Sequence, residues 1–119
     1  MKLFVQSIQG PENAVNGVFP IMIASQAAEA GHEVSIFLAG NAVSLMKTEI
    51  VDNMSAIGIR KLSDHIKVLK DKGVTIHLSA GSCKARGITE DDIKDKNGVM
   101  SGPPRLLKLV EEAEKVLSY

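Results

Sequence analysis

The sequence predicts an α/β fold, a three-layer α/β/α arrangement with a five-stranded, mainly parallel sheet. Strand-like runs alternate with helix-like runs along the whole chain, and that alternation implies parallel strands joined by right-handed crossovers. Within it, VSIFLA from Val34 to Ala39 is nearly continuous in apolar character, as expected of a strand covered on both faces. The 119 residues suit one domain with one core, spanning 1–119.

The first strand is expected over residues 2 to 8, KLFVQSI, which ends at the turn cluster GPEN. A helix then runs from about Asn16 to Ala30 and stops at Gly31. With that start Pro20 falls in or just after the first turn, whereas an earlier start would place it where proline kinks a helix. After the second strand, Gly40 and Asn41 break the run, and AVSLMK predicts a short helix with Asn41 as its N-cap. Residues 48 to 58 show no clean period and read as a loop or irregular cover.

Leu62, Ile66 and Leu69 recur at i, i+4 and i+7, predicting a helix that ends at Gly73. VTIHL is the third strand, with Val74, Ile76 and Leu78 on one face and Thr75, His77 and Ser79 on the other. Thr89 followed by Glu90, Asp91 and Asp92 is a helix start. GVMS at 98 to 101 is a short fourth strand. Pro103 or Pro104 opens a last helix with a stripe of Leu106, Leu107, Val110 and Ala113, and KVLSY is the fifth strand.

Composition narrows the function. Fourteen basic residues balance fourteen acidic ones, only Arg60, Arg86 and Arg105 are arginines, and four residues are aromatic. Neither a cationic field nor a stacking platform for nucleic acid is present, so no nucleic-acid partner is expected. The opening MKLFVQSIQG has too short an apolar run for a secretory signal, and VFPIMIA falls far below the roughly 18 apolar residues of a membrane span. A single cysteine, Cys83, forms no internal disulfide and has no zinc-ligand spacing around it. A cytoplasmic protein with no membrane contact, metal or organic cofactor is expected.

Ligands of parallel sheets bind beyond the carboxyl ends of the strands, which selects the loops after Ile8, Ala39 and Leu78. GPENAVNG after the first strand is neither GxGxxG nor a phosphate loop, and no GxSxG elbow is present. His32, His65 and His77 are dispersed and read as structural or surface residues, with His77 placed to hydrogen-bond near its strand end. Cys83 in HLSAGSCKARGITEDDI has two routes to a reactive thiolate, the nearby Lys84 and Arg86 and the N–H groups of a helical turn. Its other reading is a small buried hydrophobe.

The chain resembles the DsrE/DsrF-like family, also called the YchN-like fold group, of small proteins linked to intracellular sulfur transfer. The resemblance runs through LFVQSIQGPEN, AGHEVSIFLAGNAVSLMK, LKDKGVTIHLSAGSCKARGITEDDI and PPRLLKLVEEAEKVLSY. It implies a five-stranded parallel sheet between helices, homo-oligomers (a trimer or hexamer), and, in sulfur-relay members, a cysteine that carries sulfur as a persulfide. Counted back from Arg86 and Gly87, the usual cysteine position at the strand end is Ser79. Some relatives place a second cysteine close to Ser82, one position before Cys83, a step that rotates a helical side chain by roughly 100°.

Two functional expectations result. In one, the chain is a sulfur carrier or sulfurtransferase-like protein with Cys83 as its catalytic residue, exchanging sulfur with donor and acceptor proteins. In the other, it is a non-catalytic oligomeric binding or scaffold module in which Ser79, Ser82, Arg86 and Asn41 line a ligand cleft.

Overall fold

The computed structural model describes residues 1–119. The five strands are β1 (Lys2–Ser7), β2 (Glu33–Leu38), β3 (Ile76–Ser79), β4 (Gly98–Ser101) and β5 (Lys115–Ser118). They form one sheet in the order β4-β3-β2-β1-β5, and every neighbouring pair is parallel. The helices are α1 (Ala14–Glu29), α2 (Thr48–Asn53), α3 (Leu62–Asp71), α4 (Ala80–Ala85), α5 (Glu90–Ile93) and α6 (Pro103–Glu112), with 3-10 turns at Gly40–Met46 and Lys94–Lys96.

The helix after β1 starts at Ala14 rather than near Asn16, because Asn13 supplies the cap: its side-chain oxygen accepts the Asn16 N–H at 3.1 Å. Pro20 therefore lies inside α1, beyond the first turn, and removes the N–H that the Asn16 carbonyl would otherwise receive. The far end stops as expected: Gly31 takes φ +89° and donates its N–H to Ala28 O.

Two other expectations are corrected. Thr48–Asn53 is a helix, α2, which buries only Val51, so one apolar contact left no period to read. The Lys96 ammonium, itself buried, donates to Thr48 Oγ1 at 3.1 Å and to Asp92 O at 2.8 Å, tying the segment before β4 to the start of α2. The stripe expected on α6 is also turned. Leu109 is its one fully buried residue, Leu106 and Ala113 pack beside it, and Leu107 and Val110 face outward.

The third strand, β3, starts at Ile76 rather than Val74, but the alternation is as expected, with Val74, Ile76 and Leu78 buried and Thr75 exposed. The buried face belongs to a main core of 22 residues that includes Val18, Ile21 and Ala24 of α1 and Leu62, Ile66 and Leu69 of α3. On the opposite face a second cluster, Phe4, Phe37 and Leu109, lies where α6 crosses β1 and β2. The second outer layer is thus thin. Phe37 pairs in register with His77, and His77 with Val99, so the β3–β4 half of that face carries His77 and Val99 beside α6 rather than beneath a full helical layer.

Candidate functional site

At the carboxyl ends of β1, β2 and β3, three loops are drawn together by polar contacts between segments distant in sequence. Ser79, the last residue of β3, caps α4: its Oγ accepts the Ser82 N–H at 3.2 Å. The Ser82 hydroxyl in turn accepts the Gly40 N–H at 2.9 Å, fastening the start of α4 to the end of β2. Arg86 completes the tie. Its Nε and Nη2 donate to Asn41 Oδ1 at 3.2 and 2.9 Å, and its Nη1 donates to Ser82 O at 3.1 Å.

Asn41 is therefore not the helix cap the sequence suggested. The segment it begins is a 3-10 turn whose cap position is Ala39, without a side-chain cap, and the Asn41 amide oxygen serves Arg86 instead. The loop after β1 is threaded against the same segment. A Cβ on Gly10 would lie 2.0 Å from the Asn41 carbonyl oxygen, a distance no side chain survives, so glycine is required for that approach.

Glu12 joins the cluster from this loop, and the sequence reading did not single it out. Its carboxylate accepts the Gly10 N–H at 2.9 Å. That bond, with help from its own N–H, the Asn41 side chain and the Arg86 charge, holds the carboxyl below its ordinary range. GPEN was legible only as a turn; nothing local tells that its acid will face Asn41 and Arg86.

The structure thus brings Asn41, Ser79, Ser82 and Arg86 into one network, with Asn41 and Arg86 exposed and both serines half-buried. It does not bring Cys83 to the same surface. The Cys83 side chain is 0% exposed and belongs to the main core. Burial pushes its thiol up; Arg86 pulls the other way without prevailing, and Asp92 adds to the rise. Of the two readings of Cys83, the small buried hydrophobe is the one the packing matches: α4 turns Cys83 inward, while Lys84 and Arg86, the latter at the cap just past the helix end, are exposed.

The histidines occupy three different settings. His32 Nδ1 lies 3.0 Å from the terminal amine of Met1. His65 Nδ1 lies 3.0 Å from Ser25 Oγ inside the main core. His77 pairs with Ser101 Oγ at 3.0 Å, across β3 and β4, near the strand end. No three His, Cys, Asp or Glu side chains converge as metal ligands would, and no helix is long and apolar enough to cross a membrane.

Among solved structures, the chain is similar to the ychN protein from E. coli, with a TM-score of 0.83, 18% identity, and coverage of 99% of this chain and 98% of that one. It is also similar to the conserved protein of unknown function BT1422 from Bacteroides thetaiotaomicron (TM-score 0.71, 18% identity, 99% and 94% covered). A third likeness is to the protein of unknown function MTH1491 from Methanobacterium thermoautotrophicum (TM-score 0.68, 13% identity, 99% and 98% covered). At these identities the likeness is one of fold. No curated protein matches the chain in sequence. The model of one family matches the chain over residues 1–119, and the chain belongs to the DsrE/DsrF-like family.

Proposed function

We propose that the chain serves a sulfur-relay-related role as a binding and assembly module, taking a small polar ligand at the Asn41, Ser79, Ser82 and Arg86 cluster rather than carrying sulfur on its own cysteine. Membership of the DsrE/DsrF-like family supports a sulfur-relay-related kind of function. The observation that selects this form of it is the burial of Cys83, 0% exposed with its thiol raised. A thiol is nucleophilic only as thiolate and only where a donor can reach it. The cluster supplies what a polar ligand needs: a guanidinium with N–H groups left over after its bonds to Asn41 and Ser82, and a carboxylate, Glu12, for a donor.

One observation favours the carrier reading. The helix that buries Cys83 has six residues, and its far end is held by the exposed Arg86–Asn41 contact. If α4 opens, Cys83 emerges beside a guanidinium that stabilises thiolate. Its thiolate would attack the outer sulfur of a donor persulfide, the donor's S–S bond would break, and the donor would leave as thiolate; an acceptor thiolate would then take the sulfur from Cys83 in the same way.

Intact mass after exposure to a persulfide donor separates the two. The binding reading expects no gain of about 32 Da, the mass of one sulfur atom, on the folded natural protein. A gain of that size that disappears in Cys83→Ser overturns it in favour of the carrier. For assembly, we propose a homo-oligomer, a trimer or hexamer, supported by the outward Leu107 and Val110 of α6 and by the exposure of edge strand β5 along its whole length.

A further inference from the structure

A groove of about 550 Å³ lies on the opposite, thinly covered face of the sheet, between the carboxyl half of β3–β4 and the start of α6. It shares no lining residue with the Asn41–Arg86 cluster. Its walls include His77, Val99, Ser101, Pro104, Arg105 and Lys108, with no acidic residue among them. The size falls within the roughly 300–1,000 Å³ of small-molecule sites.

Charge distinguishes this groove from its neighbour. A second depression, also bordered by His77, has Lys2, Glu33 and Glu112 in its wall, and Lys2 is already paired with Glu33 at 3.6 Å. The chain's ion pairs use Lys2, Lys67, Lys94 and Lys96. Arg105 and Lys108 enter none of them. They stand at i and i+3 on α6 and so project to one side of it.

The remaining polar groups are neutral donors and acceptors. Ser101 Oγ lies 3.0 Å from His77 Nδ1, while its other acceptor, Val99 O, is at 3.5 Å, at the edge of a useful hydrogen bond. With the hydroxyl donating to Nδ1, the ring N–H sits at Nε2, which has no partner within the chain. The helix end does not substitute for these side chains, because positions one and two of α6 are Pro103 and Pro104 and lack N–H groups. The Arg105 N–H is already given to Gly102 O at 3.0 Å.

We propose that this groove is a second binding site, for a small organic phosphate: Arg105 and Lys108 hold the phosphate, the His77–Ser101 pair hydrogen-bonds to the ligand, and the organic body lies over Val99. Two cations without carboxylate partners select an oxoanion, and the room left beside them exceeds what an inorganic ion fills. The exposed Val99, 48% accessible, is the apolar surface such a body would cover.

The test is an amide NMR titration of the full chain with glucose 6-phosphate, inorganic phosphate and glucose. Saturable shifts are expected at Val99, Ser101 and Arg105 and on the His77 ring with glucose 6-phosphate, weaker ones with phosphate, and none with glucose. Arg105→Gln and Lys108→Gln, read singly and together, should weaken binding, the pair by about tenfold or more, while Arg60→Gln on another element leaves it unchanged. Both residues are exposed, and unchanged shifts elsewhere verify the fold; if one variant fails to fold, the other carries the measurement. The proposal falls if no saturable shift appears at these residues, if phosphate binds as tightly as glucose 6-phosphate, if the variants bind as the natural protein does, or if Arg60→Gln weakens binding equally.

Discussion

Arg86 directs two of its nitrogens, Nε and Nη2, at a single oxygen of Asn41, at 3.2 and 2.9 Å, across 45 positions of sequence. With Nη1 on Ser82 O, one side chain ties the loop after β2 to both ends of α4. Since α4 keeps Cys83 in the core, loosening this exposed contact is expected to ease access to the thiol.

Arg86→Ala should therefore loosen α4 more than it destabilises the fold. The lost hydrogen bonds are solvent-exposed, so a cost of about 1 kcal/mol is expected in a denaturant melt. The reaction of Cys83 with a thiol reagent in the native protein should accelerate by about tenfold or less, since opening of the helix would be eased by no more than that energy. A labelling rate unchanged from the natural protein would show that the Arg86–Asn41 contact does not control access to Cys83.

Ser79 offers the converse experiment. It ends β3, is half-buried, and presents its Oγ to the Ser82 N–H. In Ser79→Cys combined with Cys83→Ser, a sulfur would occupy that position, where the backbone N–H groups of α4 favour thiolate. Loss of the cap should cost about 1 kcal/mol. The thiol should titrate below Cys83 and take up persulfide sulfur in the folded state; if it reacts no faster than buried Cys83, the strand end is not the reactive position of this sheet.

His65 makes stability depend on pH. Ser25 donates its hydroxyl to Met22 O at 2.9 Å, so at the 3.0 Å contact with His65 the ring Nδ1 is the donor. The other nitrogen, Nε2, is buried without a partner. Protonation would place an unpaired N–H and a charge there, and burial accordingly lowers the pKa below the ordinary 6.5, against a smaller opposing pull from Asp64. A histidine depressed on folding stabilises the fold above its unfolded pKa, and that contribution is lost as pH falls below it. His77, lowered chiefly by burial and further by Arg105, adds in the same sense. Urea melts from neutral pH downward should show stability falling below about 6.5, with a shallower fall in His65→Gln and in His77→Gln. Identical slopes in all three proteins would remove histidine burial as the cause.

Strands and helix ends were legible where one residue type leaves little choice. Gly31 ends α1 with a positive φ, and Thr89 opens α5 with a reciprocal cap to Asp92. Buried strands read as apolar runs because both faces need them, as in β2. The misreadings fall where the period is short or ambiguous. In α4, six residues span under two turns, too few to tell which side meets the core, so both readings of Cys83 stayed open; Arg86 lies just past the helix end. In α6, apolar residues occur on both sides, and only the position of Phe4 and Phe37 beneath it decides that Leu109 is the buried one. Of the candidate site, the loops after β2 and β3 were legible from the rule that ligands bind beyond strand ends, while Ser79 and Ser82 were singled out by the family resemblance. Glu12 was not legible, since its role arises from the close approach of Gly10 to Asn41, a contact without a local signature.

The outward side of α6 carries the last prediction. Leu107 is 65% exposed and Val110 42%, three positions apart on the same side of the helix, and the edge strand that follows it carries Val116 and Leu117, also exposed. Covering such side chains stabilises a complex by roughly 1.5–3 kcal/mol for each one fully buried, whereas in a monomer they contribute little. Light scattering during size exclusion should give the natural protein a mass three or six times 12.7 kDa. Leu107→Glu with Val110→Glu should move it toward 12.7 kDa with the far-ultraviolet spectrum preserved, because neither residue belongs to either core cluster. A natural protein that runs as a monomer at micromolar concentration rules out the assembly, and an unchanged oligomer in the double variant moves the interface away from α6.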